Sequence, residues 1–157
     1  MAFWRLLLSC LRRNDAWMNK QEDSGSLPKI LAVDDDTGVL EGLKEILGSE
    51  YQVETAEDEI SALRLANSHK PDLILLDITL GLESGVSLCY SLRSSPTTRH
   101  IPIVMLTGWG DTSIRELAFT AGANGYIEKP VLPDELRGLV KAKLNEWRVL
   151  KLRNESA

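Results

Sequence analysis

Polar side chains follow four apolar runs of this sequence, each at a point where a buried strand is expected to end. They are the acidic run Asp34-Asp35-Asp36, the single carboxylate Asp77, the hydroxyl of Thr107 and the amine of Lys129. The carboxyl ends of parallel strands lie along one edge of a sheet, where open α/β folds place their ligands. We therefore expect these groups to meet in one site although they are far apart in sequence.

The types of these residues indicate a particular chemistry. Three carboxylates held together stay ionised only when a cation joins them, and hard oxygen ligands without His or Cys favour Mg²⁺. A carboxylate is also a nucleophile toward phosphoryl groups and then forms an acyl phosphate. The metal and the ammonium of Lys129 would neutralise charge on the phosphoryl oxygens, and the Thr107 hydroxyl would donate to one of them. The predicted chemistry is phosphoryl acceptance on Asp77, with Asp34 and Asp35 beside it.

Each of these residues also has a plainer interpretation when taken alone. Acidic residues such as 34–36 are favoured at a helix N-terminus by the helix dipole, and Asp36 lies next to the predicted helix start. Thr107 by itself is an ordinary β-branched strand residue, and Lys129 an ordinary solvated lysine. Their joint occurrence with Asp77 at a third strand end favours a site.

Alternating strand and helix patterns from Lys29 onward would position these residues. The predicted strands are 30–33, 51–55, 73–77, 101–107 and 124–127. The first predicted helix is capped by Thr37, the next three cover 57–68, 84–93 and 112–121, and the last begins at Pro133. Ile60, Leu63 and Leu65 are the apolar positions of the second helix. Five such units predict an α/β fold with a doubly wound, five-stranded parallel sheet and helices on both faces.

These stretches resemble the receiver domain of two-component response regulators. The resemblance rests on ILAVDDD (30–36), DLILLD (72–77), PIVMLT (102–107) and AGANGYIEKP (121–130), which occur in the family's order and at its spacing over about residues 29–144. It implies a flavodoxin-like fold with strand order 2-1-3-4-5. It also implies the stand-alone type of receiver found in chemotaxis and sporulation relays.

The resemblance assigns roles by position. Asp77 would be the phospho-acceptor and also a Mg²⁺ ligand, together with Asp35 as the direct ligand and Asp34 as a ligand through water. The backbone carbonyl of Thr79 would be a further ligand. Thr107 and Lys129 would bind the phosphoryl group, and the Lys129–Pro130 peptide bond would be cis. Tyr126 matches the aromatic that swings inward with Thr107 on activation; a core aromatic with its hydroxyl at the surface is the other interpretation.

Three positions depart from the family pattern. Gly81 replaces the usual proline after the acceptor, and we expect it to loosen the loop that follows the third strand. Gly108 stands where alanine is usual. Trp109 is the largest departure: its indole would either shield the phosphoryl group from attacking water or serve partner docking.

Composition narrows the function classes. The 157 residues provide one domain with a full core, and a net charge of −5 offers no basic stripe for nucleic-acid phosphates. Cys10 and Cys89 match no metal spacing, so we expect free thiols in a reducing cytoplasm. No apolar run approaches the roughly 20 residues that span a bilayer.

Both ends differ in composition from the middle. We assign 1–28 to a leader and linker, 29–145 to the receiver and 146–157 to a helix overhang and tail. The apolar stretch 3–8 predicts either a short amphipathic helix on a membrane surface or partner, or a disordered leader that a start at Met18 would remove; we favour the latter. Trp147 and Leu150 continue the last helix, as a dimer or partner contact or as a simple overhang.

The predicted function is that of a single-domain response regulator. The sequence has no ATP-binding segment, so a histidine kinase or histidine phosphotransfer protein should supply the phosphate, and the chain would catalyse only its own phosphorylation and dephosphorylation. Too little chain follows the receiver for a DNA-binding effector, which predicts output by protein contact through the fourth helix, fifth strand and fifth helix. A relay intermediate that passes phosphate to a phosphotransfer protein is the alternative. A phosphatase of the haloacid dehalogenase type would need a second carboxylate at Thr79.

Overall fold

Ten helices and strands longer than two residues alternate along the chain in the computed structural model, which describes residues 25–108 and 112–156. They are β1 (Lys29–Val33), α1 (Thr37–Leu47), β2 (Gln52–Ala56), α2 (Glu59–His69), β3 (Leu73–Asp77), α3 (Gly85–Ser94), β4 (Ile103–Thr107), α4 (Thr112–Thr120), β5 (Gly125–Glu128) and α5 (Pro133–Glu155). No helix in the described ranges is both long and apolar enough to cross a membrane. The predictions for the leader fall mostly on residues 1–24, which lie outside the described residues.

The five strands form one parallel sheet in the order β2-β1-β3-β4-β5. This confirms the predicted doubly wound fold and strand order. The order reverses direction between β1 and β3, and ligand sites of open α/β sheets lie at such a reversal, outside the carboxyl ends of the strands. The fold thus directs attention to the residues that follow β1 and β3.

Apolar side chains cover both faces of the sheet and divide the core into two layers. Alternate strand residues such as Leu31 and Ile30 face opposite layers, because side chains of a strand alternate between faces. One layer is completed by α2, α3 and α4, and the other by α1 and α5. Burial on both sides explains why these strands are continuous apolar runs and not alternating patterns.

The start of α1 differs from the prediction by one residue. Asp36, and not Thr37, is the N-cap: its Oδ1 accepts hydrogen bonds from the backbone N–H groups of Gly38 at 2.8 Å and Val39 at 3.4 Å. Thr37 is the first helical residue. Because the cap side chain must reach amide groups two and three positions along, the residue before the first turn takes this role.

The second helix also differs from its predicted pattern. α2 begins at Glu59, two residues after the predicted start, and Asp58 caps it through a 2.7 Å hydrogen bond from the Ser61 N–H. Ala62 and Ala66 form its buried face, whereas Ile60 is 77% exposed. Ile60 therefore contributes little to the core although it is apolar.

A short hairpin connects β3 to α3. Thr79 and Leu80 pair antiparallel with Ser84 and Glu83, and Gly81 in the turn has φ +58°. This left-handed conformation suits glycine and is closed to proline, whose ring holds φ near −65°. Gly81 thus allows this loop to close into a hairpin, and the expected loosening of the loop stays a prediction.

Helix α5 continues past the predicted domain boundary at residue 145. Leu136, Val140 and Leu144 are buried against the sheet. One turn later, the Trp147 ring stacks on His100 with ring centroids 5.5 Å apart. The first turn of the predicted overhang thus packs against the domain, while Leu150 is half exposed.

Candidate functional site

The carboxyl ends of β1 and β3 bring three carboxylates together. Asp34 follows the last residue of β1, Asp77 is the last residue of β3, and these two strands are hydrogen-bonded neighbours. Asp34, Asp35 and Asp77 each offer one oxygen, and these atoms all lie within 4.8 Å of one another. Asp34 is fully buried, Asp77 is 3% exposed, and Asp35 faces solvent.

The amine of Lys129 reaches this cluster from the end of β5. Its Nζ lies 2.7 Å from Oδ2 of Asp34 and 3.4 Å from Oδ1 of Asp77. The backbone N–H of Lys129 also donates to the carbonyl oxygen of Thr107 at 2.7 Å, which fixes the residue against the end of β4. Side chains from three separate strand ends, those of β1, β3 and β5, therefore converge, as expected from a parallel sheet.

The charges of the cluster do not balance. One ammonium faces three carboxylates, two of which are buried. Burial raises the pKa of Asp77, and the charge of Asp34 raises it further, while Lys129 and the Thr79 N–H oppose the rise. For Lys129, burial lowers the pKa, but the hydrogen bond with Asp34 and the charge of Asp77 outweigh it, so the pKa is raised. The amine thus stays protonated beside an excess of negative charge.

This donor set fits a hard divalent cation. The cluster offers carboxylate oxygens alone, and its excess negative charge would be neutralised by Mg²⁺, which prefers oxygen ligands and keeps several waters. Asp35 is exposed, which leaves room for such waters on the solvent side. Thr79 begins the hairpin two residues after Asp77 and is also exposed. The residues present therefore match the predicted Mg²⁺ site.

Thr107 and Tyr126 lie on β4 and β5, the two strands on the side of β3 away from β1, and Thr107 is the last residue of β4. Thr107 is 3% exposed, and its hydroxyl donates to the carbonyl oxygen of Ile127 at 3.5 Å, the outer limit of a hydrogen bond. The Tyr126 ring is half buried, with Phe119 edge-on at 5.9 Å and the Arg115 guanidinium 4.6 Å above it. Arg115 also forms an ion pair with Glu128.

The peptide bond between Lys129 and Pro130 is cis, the conformation that the resemblance implied. Trp109, for which shielding and docking were both proposed, lies outside the described residues.

Gly85 is a site residue that the sequence pattern did not distinguish. A Cβ on Gly85 would lie 1.9 Å from the carbonyl oxygen of Asp77, and its N–H donates to the Ile78 carbonyl at 2.7 Å. The first turn of α3 therefore packs directly on the backbone of Asp77. A glycine in the first turn of a predicted helix was the available signal, but the close approach belongs to the tertiary structure.

The family of this chain follows from a direct comparison with known proteins. The family model of the response regulator receiver domain matches residues 30–141. The chain belongs to this family. Aspartate phosphorylation and Mg²⁺ binding are typical of such receiver domains. Receiver domains are modules of two-component signalling.

Individual relatives place this receiver domain among response regulators. Response regulator MprA of Mycobacterium leprae is 38% identical over 121 residues, which cover 76% of this chain and 52% of that protein. The chain thus spans about half the length of the curated relatives it matches.

Solved structures agree with the fold. A response regulator from Chloroflexus aurantiacus is 39% identical with a TM-score of 0.73, and the match covers 76% of this chain and 99% of that one. A CheY-like receiver domain protein from Methanospirillum hungatei is 35% identical with a TM-score of 0.73, and the match covers 78% and 98%.

Proposed function

We propose that Asp77 accepts a phosphoryl group from a phosphorylated histidine of a sensor kinase or histidine phosphotransfer protein. The observation that carries this proposal is the position of the Asp77 carboxylate, nearly buried at the sheet edge with the Lys129 ammonium 3.4 Å away. An ionised carboxylate beside a fixed cation is a nucleophile next to a group that neutralises the incoming phosphoryl oxygens.

The step itself is a simple displacement. An Asp77 oxygen forms a bond to phosphorus, the phosphorus–nitrogen bond to the histidine breaks, and the ring nitrogen keeps the electron pair. Asp34, Asp35 and the Thr79 carbonyl would hold Mg²⁺, which when bound neutralises charge on the phosphoryl oxygens. Lys129 supplies the remaining positive charge, and the low exposure of Asp77 limits access of water to the acyl phosphate.

Thr107 would respond to phosphorylation of Asp77 by binding a phosphoryl oxygen through its hydroxyl. Its hydroxyl makes only a 3.5 Å hydrogen bond to Ile127, so its transfer to a phosphoryl oxygen gives up a weak interaction. A displacement of Thr107 would be transmitted to β5, because β4 and β5 are paired along the length of β5. It would thereby affect Tyr126, which lies in β5. Arg115 and Phe119 on α4 contact the Tyr126 ring and would respond to its movement.

The surface formed by α4, β5 and α5 is the proposed output face of a stand-alone receiver. It carries half-exposed apolar side chains at Leu117, Phe119 and Leu132, which suit contact with a protein partner. We assign the chain to the cytoplasm and to output without DNA contact.

Phosphoryl transfer tests the acceptor directly. Wild-type protein is labelled with acetyl phosphate and with a panel of purified histidine kinases, with and without a Mg²⁺ chelator. We expect labelling to require Mg²⁺ and to disappear in Asp77→Asn. Asp36→Asn is the matched control, because asparagine caps a helix as well as aspartate does and Asp36 is not one of the three clustered carboxylates.

Labelling that persists in Asp77→Asn would overturn the proposed acceptor. Rapid return of the label from wild-type protein to a purified histidine phosphotransfer protein would assign the chain to a relay and not to stand-alone output.

A further inference from the structure

A small cleft opens at the amino edge of the sheet, the end of the strands opposite Asp77. Its volume is about 190 Å³. Pro102 and Asn124 line the cleft and directly precede β4 and β5, and the rest of the wall comes from the end of α3, the loop before β4 and the second half of α5. We call this cavity the amino-edge cleft. The lining side chains that carry its charge and its rings are Arg93, Arg99, His100, Lys143, Glu146 and Trp147.

The wall of the cleft carries more positive than negative charge. Arg93, Arg99 and Lys143 are cations, and Glu146 is the one carboxylate among the described lining residues. Lys143 pairs with Glu146 at 3.0 Å, whereas neither arginine forms an ion pair within the described part of the chain. The wall therefore has an excess of two positive charges, in a chain whose net charge is −5.

Arg93 is held in place without a counter-charge. Its guanidinium donates four hydrogen bonds of 2.7–3.0 Å, to the carbonyl oxygens of Arg99, Ile101 and Gly122 and to Oδ1 of Asn124. These acceptors are neutral, and they occupy no more than four of the five guanidinium N–H groups. The position of the charge is therefore fixed, and at least one donor has no partner among the described residues.

Two stacked rings form part of the wall, and one of them senses the local charge. The Trp147 ring lies against the His100 ring with centroids 5.5 Å apart. Burial lowers the pKa of His100, and it is lowered further by the charges of Lys151, Arg93, Arg99 and Lys70. Clefts that combine charges of one sign with apolar walls concentrate the electrostatic potential. The amino-edge cleft is thus a region of positive potential, which attracts anions.

The size and the donors of the cleft indicate the class of anion. Small-molecule sites usually measure about 300–1,000 Å³, so this cleft suits a compact ion better than a whole nucleotide. Arginine N–H groups match phosphate oxygens in geometry, and a phosphate group carries a charge of about −2 at neutral pH, equal to the excess on the wall.

We propose that the amino-edge cleft binds a phosphate-class oxyanion, either free inorganic phosphate or the phosphate group of a small monoester. The proposal does not depend on the proposed role of Asp77.

Histidine NMR tests this proposal, because the chain has only two histidines. Inorganic phosphate is titrated into the full chain in a Mg²⁺ chelator, where the carboxylates around Asp77 repel the ion, and sodium chloride at equal ionic strength accounts for screening. We expect the His100 ring signals to shift saturably at millimolar phosphate. The pKa of His100 should rise, since the bound anion offsets the neighbouring cations, while His69, which pairs with Glu54, should not follow.

Two charge variants should change the phosphate affinity in opposite directions. Arg99→Gln should weaken binding about tenfold, the effect of losing one charge-assisted hydrogen bond. Glu146→Gln removes the carboxylate that pairs with Lys143 and should strengthen binding about threefold. Arg64→Gln is the matched control, because it removes the same charge from an exposed arginine of α2 that does not line the cleft. Its affinity should equal that of wild type.

A parallel titration with glycerol phosphate identifies the source of the anion. Tighter binding of the monoester would indicate a phosphorylated small molecule, and tighter binding of inorganic phosphate the free ion. The absence of a saturable His100 shift beyond the chloride control would overturn the proposal. So would an affinity that Arg99→Gln leaves unchanged or that Arg64→Gln lowers equally, and weaker binding in Glu146→Gln would contradict the charge argument.

Discussion

Gly85→Ala tests how closely α3 is packed on the end of β3, where Asp77 lies. The added Cβ would meet the Asp77 carbonyl oxygen at 1.9 Å, the Asp77 carbonyl carbon at 2.9 Å and the Ile78 Cα at 3.0 Å. All three are backbone atoms, so no side-chain rotation relieves the contact. To restore even 3.0 Å to the carbonyl oxygen, α3 or the end of β3 must move by about 1 Å in a close-packed core.

The magnitude follows from two opposing effects. Overpacking of this kind costs about 3 kcal/mol at the upper end of its usual range, and alanine regains about 1 kcal/mol over glycine in a helix. We therefore expect the free energy of unfolding to fall by about 2 kcal/mol, a substantial share of the roughly 5–15 kcal/mol typical of domains.

Urea unfolding gives the measurement, and the midpoint should fall by about 1 M with an unchanged slope. Gly42→Ala is the matched control: Gly42 lies inside α1 with nothing within 4 Å of its would-be Cβ, so the substitution should stabilise by up to about 1 kcal/mol. If Gly85→Ala unfolds at the wild-type midpoint or above it, the inferred packing of α3 on Asp77 is wrong.

Two further predictions concern the charges of the site. Burial, with the charge of Asp34, raises the pKa of Asp77 above its usual 3.8. The folded protein therefore keeps the Asp77 carboxyl proton to higher pH than the unfolded chain does. Between the unfolded and the folded pKa of Asp77, the stability of the protein falls as pH rises. In chelator, Asp77→Asn should thus melt above wild type at pH 7.5, with the difference shrinking toward pH 4; equal melting temperatures at both pH values would contradict this. Lys129→Met leaves the two buried carboxylates of Asp34 and Asp77 without their cation, so the free energy of unfolding in urea should fall by about 3 kcal/mol. Mg²⁺ should restore part of this loss. A variant as stable as wild type in chelator would show that the ion pairs of Lys129 contribute nothing to stability.

The sequence was sufficient for the fold because its strands are buried on both faces. Continuous apolar runs that end in polar residues mark the strand ends, and the parallel order then requires Asp34, Asp77 and Lys129 to meet. The sequence also separated Asp36, as a residue beside the helix start, from the two aspartates of the cluster, although it assigned the cap to Thr37.

Other features depend on contacts between distant segments. Asp36 and Thr37 are both good caps, and only the backbone geometry of the structure decides between them. The hydrogen bond between the Glu83 carboxylate and the Glu59 N–H joins residues 24 positions apart, and the exposure of Ile60 follows from which face of α2 turns inward. The need for glycine at position 85 arises from a backbone oxygen of another element, which no local pattern contains.

The ion pair between Lys129 and Asp34 joins residues separated by 95 positions. It closes a loop that contains most of the sheet, and such closure costs chain entropy that only a folded sheet offsets. A chain cleaved or truncated before residue 129 would retain β1 and β3 with their carboxylates but would lack the ammonium. The charge balance of the site is therefore a property of the intact polypeptide, and its titration reports whether the last strand is in place.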